Sequence, residues 1–384
     1  MRRLVVGCAL AGTLWLVSSA SAAAVVTRYV DDDHAQCPQA TFTKIQAAID
    51  ASAAHDIVRV CAGTYREQLT LPADKPALMV ASLPALAAHV MAPAGGATSE
   101  PDTVGPGSRT DLISVLGSEQ HVLGLSISGP ITPHVVHDGC GTASAIADAG
   151  ADTVLDGNVL TGLSDNPCPD PNGPFPTTDG IRLDYAATAA VIERSTIQGA
   201  VDGIELGDGH QVLAERNVIV GRGAASPGYG VDGGGIDTSL RSNDISATSI
   251  GMVLYEFSGL AKGNELHDNG TGLELGDGVF ATTIDSNIIH ANRGDGLLTT
   301  GPGEMGAGSS GLIRGNDVRS NGHDGISVNG CPSHCDIAQN SFQVDRNISL
   351  GNGHYDCFDS VPAVDVWTND IGVTDSPSTI CSPH

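Results

Sequence analysis

The stretch GTGLELGDGVFATTIDSNII, residues 270–289, contains two short alternating runs separated by a Gly-Asp-Gly turn and closed by an asparagine. In GTGLELG, Leu273 and Leu275 face one way and Glu274 the other, the signature of a half-buried strand. ATTIDS reads as a second strand, and the Gly, Asp and Asn between and after them are turn residues. The phrase GLELGDG at 272–278 has a near twin, GIELGDG at 203–209, 69 residues earlier. Two such copies are either a duplicated catalytic signature or two well-kept wordings of one structural repeat.

The repeat is the better reading. An Asn followed two residues later by an aliphatic residue or Phe recurs at 158, 217, 243, 264, 287, 316, 340 and 369, with Ser195 filling one slot. Asn347 competes for the last-but-one register, and the base period is 21 to 24 residues with insertions. No segment of 110–372 has useful helical periodicity. Strand, turn, strand, turn at a period near 22 fits a right-handed parallel β-helix, each period forming one coil. Leucine-rich repeats need leucines at spacings absent here, and a calcium-binding nonapeptide roll is hinted at only by VDGGGIDTS at 231–239. The expected fold class is therefore an all-β solenoid, a single-stranded right-handed parallel β-helix over 57–372 with an N-terminal capping helix. A column of asparagines has a structural explanation, because Asn tolerates left-handed corners and its amide can bond from coil to coil.

Composition agrees with a turn-rich chain. There are 49 glycines and few aromatics in 384 residues. Residues 1–24, MRRLVVGCALAGTLWLVSSASAAA, combine two arginines, an apolar run and small residues, the pattern of a secretory signal peptide. No other run approaches the roughly 18 apolar residues of a spanning helix. The net charge is −26, and losing Arg2 and Arg3 leaves 16 basic against 44 acidic residues. Such a field excludes nucleic acid and repels polyanionic sugar unless a cation mediates contact. Secretion, a monomeric state and a partner among extracellular polysaccharides or cell-surface glycans are the expectations.

Eight cysteines remain beyond the leader, an even count that favours disulfides in an exported chain. They form four local couples: Cys37 with Cys61, Cys140 with Cys168, Cys331 with Cys335, and Cys357 with Cys381. The rival reading of CPSHC at 331–335 is a zinc site completed by His334, His323 and His354.

Residues 25–56 form a candidate cap, with a helix over about 41–52. FTKIQAAIDAS places Phe42, Ile45, Ala48 and Ile49 at helical spacing, and Thr41 or Thr43 can cap its start. A helix there would cover the open end of the first coil. The strand DIVRV and the string GTYRE follow. This opening and the repeats resemble the pectin-lyase-like superfamily of secreted right-handed parallel β-helices, which includes pectate lyases, polygalacturonases and pectin methylesterases. The resemblance covers most of 28–372 and implies a fold and a polysaccharide-acting class. The catalytic wording of those enzymes is absent, since no NTD, GHG or RIK string stands in a suitable coil. YGVDGGG at 229–235 matches only the first half of the epimerase-like YG-hydrophobe-DPH string.

Chemistry must then be sought by register. The outward position of the glycine-led strand reads Arg182, Glu205, Asp237, Val253, Glu274, Leu298 and Ser327, with Asp184, Asp208, His210, Tyr255, Glu256 and Asp277 just beyond. Coils are about 4.8 Å apart, so Glu205 and Glu274, three coils apart, cannot flank one glycosidic bond. Glu205 with Asp237 suits a retaining pair, and Asp237 with Glu274 an inverting one. Glu205, Asp237, Glu274 and Arg182 are thus the catalytic candidates; Asp184, Asp208, His210 and Tyr255 the substrate-binding ones. Asp208, Asp237, Glu256 and Asp277 could gather calcium, and no other cofactor is called for. Asp179, Asp202, Asp295 and Asp324, each before a Gly, read as ordinary turn residues. The functional expectation is a lyase or glycoside hydrolase with an acidic groove, the alternative a non-catalytic exported scaffold or glycan-binding adhesion protein. Residues 133–180 read as a long Pro- and Cys-bearing excursion over one face, and 373–384 as a tail tied back by Cys381.

Overall fold

The computed structural model describes residues 24–383 apart from 95, 99, 102–107, 132–134, 137, 138, 141, 164–177, 208, 301–308, 330–339 and 363. Residues 1–23 of the expected leader, Asp208, Cys168, Cys331, His334 and Cys335 therefore lie outside the described residues.

Short strands stack almost entirely in parallel register, building a solenoid with three ladders. One ladder stacks Ile113, Ile146, Ile181, Ile204, Val231, Met252, Leu273, Leu297 and Ile326. A second stacks Val122, Leu155, Ile192, Ala214, Leu240, Ala261, Ile284, Ile313 and Val344. The third stacks Ile127, Leu160, Ile197, Ile219, Ile245, Leu266, Ile289 and Val318. All three columns point inward and are buried, forming one continuous apolar core. Every coil thus presents like residues to like, which is why a period near 22 specifies the fold.

The leading Gly of the twin phrases has a steric cause. A Cβ on Gly203 would lie 2.5 Å from both the Gly230 carbonyl oxygen and Ile219 Cγ2; on Gly272 it would lie 2.4 Å from Ile289 Cγ2. Only Gly lets this strand close on the third ladder.

The asparagine column is real, with two corrections. Side-chain amides bond along the axis from Asn217 through Asn243, Asn264, Asn287, Asn316 and Asn347 to Asp370, at 2.8–3.0 Å. Asn347 and Asp370, not Asn340 and Asn369, occupy the last slots. The left-handed residue is the one before each Asn, as at Arg216, Ser242, Gly263, Ser286, Gly315 and Arg346. The asparagines themselves are buried because each amide satisfies backbone groups that the corner leaves unpaired. A second ladder, Asn269, Asn292, Asn321 and Asn352, runs along the next corner and escaped the sequence reading.

At the amino end the helix spans Ile45–Asp50, shorter than expected, and buries Ile45, Ala48 and Ile49. Neither Thr41 nor Thr43 caps it. Lys44 holds the N-cap position without a side-chain bond, and the Glu67 carboxylate accepts the Ile45 and Gln46 N–H groups instead. Parallel pairing begins before residue 57, at Thr27–Val30 on Ile57–Val60, and continues past 372, at Asp375–Ser376 on Cys357–Phe358. The span 133–180 is not a single excursion, because Thr142–Asp148, Val154–Asp156 and Val159–Thr161 form a regular coil within it. Disulfides join Cys37 to Cys61 and Cys357 to Cys381. The other two couples include cysteines outside the described residues. Among the described residues no helix is long and apolar enough to cross a membrane.

Candidate functional site

The outward column holding Arg182 and Glu205 continues as Asp232, Val253, Glu274, Leu298, Ser327 and Phe358. Asp237 is not in it. Gly235-Ile236-Asp237 imitates Gly203-Ile204-Glu205, but Val231 is fully buried while Ile236 is 41% exposed, so Gly230-Val231-Asp232 is the true copy. Three consecutive glycines allow either alignment on paper, and burial of the apolar residue selects one. Asp237 sits exposed in a left-handed conformation where the strand register shifts. One coil, about 4.8 Å, separates Glu205 from Asp232, and two coils separate Asp232 from Glu274.

Beside this column runs a buried one. Asp179 and Asp202 are register partners, three residues before Arg182 and Glu205, and are 0% and 3% exposed. One Asp202 oxygen accepts the Tyr229 N–H at 2.9 Å. Burial, reinforced by the charges of Glu205 and Asp202, holds the Asp179 carboxyl well above the usual carboxylate range. Burial likewise pushes Asp202 up to about 7, against the Tyr229 N–H, which favours its charged form. Asp232 is pushed up to about 7 by burial and then by Asp202 and Glu205. Carboxylates accept hydrogen bonds only, so a packed group of them retains protons shared across the set.

Cationic partners border this group. Arg182 Nη1 is 3.5 Å from Glu205 and 4.0 Å from Asp179, and its Nε is 3.6 Å from Asp184. Arg109, two coils earlier, bonds Asp184 and lies 2.8 Å from Asp111. Burial raises Asp111 to about 6 despite Arg109. A cavity of about 240 Å³ opens here, lined among others by Arg182, Asp184, Tyr185, Glu205, Tyr255 and Glu256. Tyr185 and Tyr255 are both exposed at it and offer flat apolar faces beside acids.

The structure gathers Arg182, Asp184, Glu205, Tyr255 and Glu256 at one cavity. It does not bring Glu274 there; that residue lies three coils from Glu205, where burial and Asp295 raise its carboxyl. His210 stands at the following corner, bridging Thr188 and Ile236. Asp237, Glu256 and Asp277 do not converge as a ligand group: among the described residues the only clusters of three or more His, Cys, Asp or Glu within ligand reach are Asp31–Asp33 and His323, Asp324 and His354. Sequence reasoning missed Asp232, Asp179, Asp202 and Arg109. The available signal was the Asp-Gly-Ile written three residues before both Arg182 and Glu205, set aside as turn chemistry.

A family model described as "Right handed beta helix region" matches residues 228–358. No curated protein matches the sequence. Among solved structures, a GH136 lacto-N-biosidase from Eubacterium ramulus is similar at 12% identity and TM-score 0.57, over 91% of this chain and 67% of that one. The Dettilon tailspike protein gives 14% and 0.56, over 90% and 65%. The periplasmic alginate epimerase AlgG gives 13% and 0.54, over 85% and 82%. Identities this low carry the fold and no residue roles. With its three parallel ladders and the family-model match, the chain has the fold of a right-handed parallel β-helix.

Proposed function

We propose that the protein is an exported glycoside hydrolase acting on an uncharged extracellular polysaccharide, with Glu205 and Asp232 as its working carboxyls. The observation that carries this reading is the set of proton-retaining acids beside Glu205, the buried Asp179 and Asp202 and the half-buried Asp232, next to a tyrosine-flanked cavity. A carboxyl that keeps its proton near pH 7 can donate it to a departing glycosidic oxygen. Asp232 takes that role. Glu205, neutralised by Arg182 at 3.5 Å, is the nucleophile at the anomeric carbon. Adjacent-coil spacing of about 4.8 Å suits the roughly 5–5.5 Å between carboxyls of a retaining enzyme. Water then releases the sugar, with Asp232 acting as base. Arg182 positions Glu205 and Asp184, and Tyr185 and Tyr255 offer stacking faces to sugar rings.

Polysaccharide chemistry is supported by the similar structures, which include a lacto-N-biosidase and an alginate epimerase. A neutral substrate is favoured because a chain of net charge −26 repels polyanions. Export is supported by the two disulfides and by the leader-like residues 1–24. The test is reducing-end release from a panel of neutral and acidic polysaccharides, by the native chain and by Glu205→Gln and Asp232→Asn. New reducing ends from a neutral glycan, lost in both variants, support the proposal. Glycan retention without product would move the protein to the binding class.

A further inference from the structure

We propose that His323, Asp324 and His354 form a binding site for a single borderline divalent transition-metal ion, of which Zn²⁺ is the probe. The repeat itself creates this group. Gly294, His323 and His354 occupy one corner position in successive coils, the N–H of each histidine donating to the carbonyl of the residue below at 3.1 and 3.0 Å. Asp295, Asp324 and Tyr355 occupy the next position, and the Asp324 and Tyr355 N–H groups donate to the carboxylate one coil below, at 2.8 and 2.9 Å. Two histidines written at the same slot of adjacent coils are thereby stacked, their ring centroids 5.0 Å apart.

Several contacts hold the donors in place. His354 Nδ1 lies 2.9 Å from Asp324 Oδ1, and His323 Nδ1 lies 2.5 Å from Asp295 Oδ1. The His354 ring rests on Tyr355, centroids 3.9 Å apart, and Tyr355 stacks on Phe358. One ligand atom from each of His323, Asp324 and His354 falls within 4.8 Å of the others. Asp324 is buried, while the two histidine side chains are 56% and 52% exposed, so an ion can enter from solvent. Two imidazoles and a carboxylate, with room for water, suit Zn²⁺, Cu²⁺ or Ni²⁺ better than Ca²⁺ or Mg²⁺, which prefer all-oxygen sets. Asp295 fits the outer partner that orients a ligating imidazole.

The molecule supplies its own control. His267 and His290 also stack, 5.4 Å apart, beside Asp244, Asp268 and Glu265, but those carboxylates are 49–67% exposed and the group does not converge within ligand distance.

Zinc titration of the chelator-stripped full chain by calorimetry, with melting temperature followed in parallel, tests the site. The native chain and His267→Ala should bind the same number of zinc equivalents and show the same zinc-induced rise in Tm. His354→Ala should lose one equivalent, or at least tenfold in its affinity, together with that rise. Asp324→Asn should weaken the same equivalent. Because the His354 ring is half exposed, the variant's metal-free Tm serves as its folding check. Native stoichiometry, affinity and Tm rise in His354→Ala would overturn the proposal.

Discussion

Glu205 and Glu274 stand in nearly identical phrases, at identical places in their coils, and yet live in different chemistry. Both follow a Gly that cannot carry a side chain and an inward aliphatic residue, Ile204 or Leu273. Glu205 has Arg182 on one side and Asp232 on the other, with Asp179 and Asp202 alongside. Glu274 has Val253 and Leu298. In a solenoid the neighbours that tune a side chain lie about 22 residues away in either direction, so a local phrase specifies scaffold and the axial stack specifies chemistry.

Replacing single carboxyls by amides is the largest way to break that comparison. Glu205→Gln and Asp232→Asn should lower kcat/KM on the responsive glycan by about 10²-fold or more, the usual worth of a general acid or nucleophile. Glu274→Gln should leave turnover near native; equal losses in Glu205→Gln and Glu274→Gln would erase the distinction. The scaffold letters should behave oppositely. Gly203→Ala and Gly272→Ala meet the same obstruction and should each cost about 1–3 kcal/mol, measured by denaturant melts. A marked difference between them would mean that the twin coils are not structurally equivalent.

Stability should also fall as pH rises. Asp179, Asp202, Asp232, Asp111 and Asp148 hold protons in the folded chain that the unfolded chain has released above about pH 4. Their contribution is complete below that point and is lost as pH climbs through about 6 to 7, so Tm should be several degrees higher at pH 5 than at pH 8. His121, whose charged form burial disfavours, opposes this as one group against several. Glu205→Gln should flatten the dependence in part, since its charge adds to the burial that raises Asp179, Asp202 and Asp232; Glu274→Gln should do so less. The smallest effect belongs to a surface ion pair between coils. Lys262→Ala removes the half-exposed bond to Asp285 at 2.8 Å and should cost about 0.2–1 kcal/mol.

The fold was legible because its signals are local and repeated: alternation, glycine and the Asn corner recur every coil, and errors in one copy are corrected by the others. An outer column has the same regularity, since Glu193, Glu215, Arg241, Lys262, Asp285 and Arg314 are register partners from coil to coil in sequence order. The site was harder. In sequence Asp237 reads as the column's acid in place of Asp232, because a run of glycines hides a register shift that only burial resolves. Asp179 and Asp202 read as turn residues because Asp-Gly is common turn chemistry, and their burial depends on neighbouring coils. Asn340 and Asn347 compete for one slot because an insertion leaves the residue count per coil open, and the amide bond to Asn316 selects Asn347.

The most direct test of the central claim, that axial stacking turns ordinary Asp and Glu letters into a proton-retaining group, needs no substrate. Carbon-13 NMR titration of labelled Asp and Glu side-chain carboxyls should show resonances with midpoints near pH 7 that move downward in Glu205→Gln and stay in place in Glu274→Gln. Carboxyl midpoints that all fall below about pH 5 would contradict it.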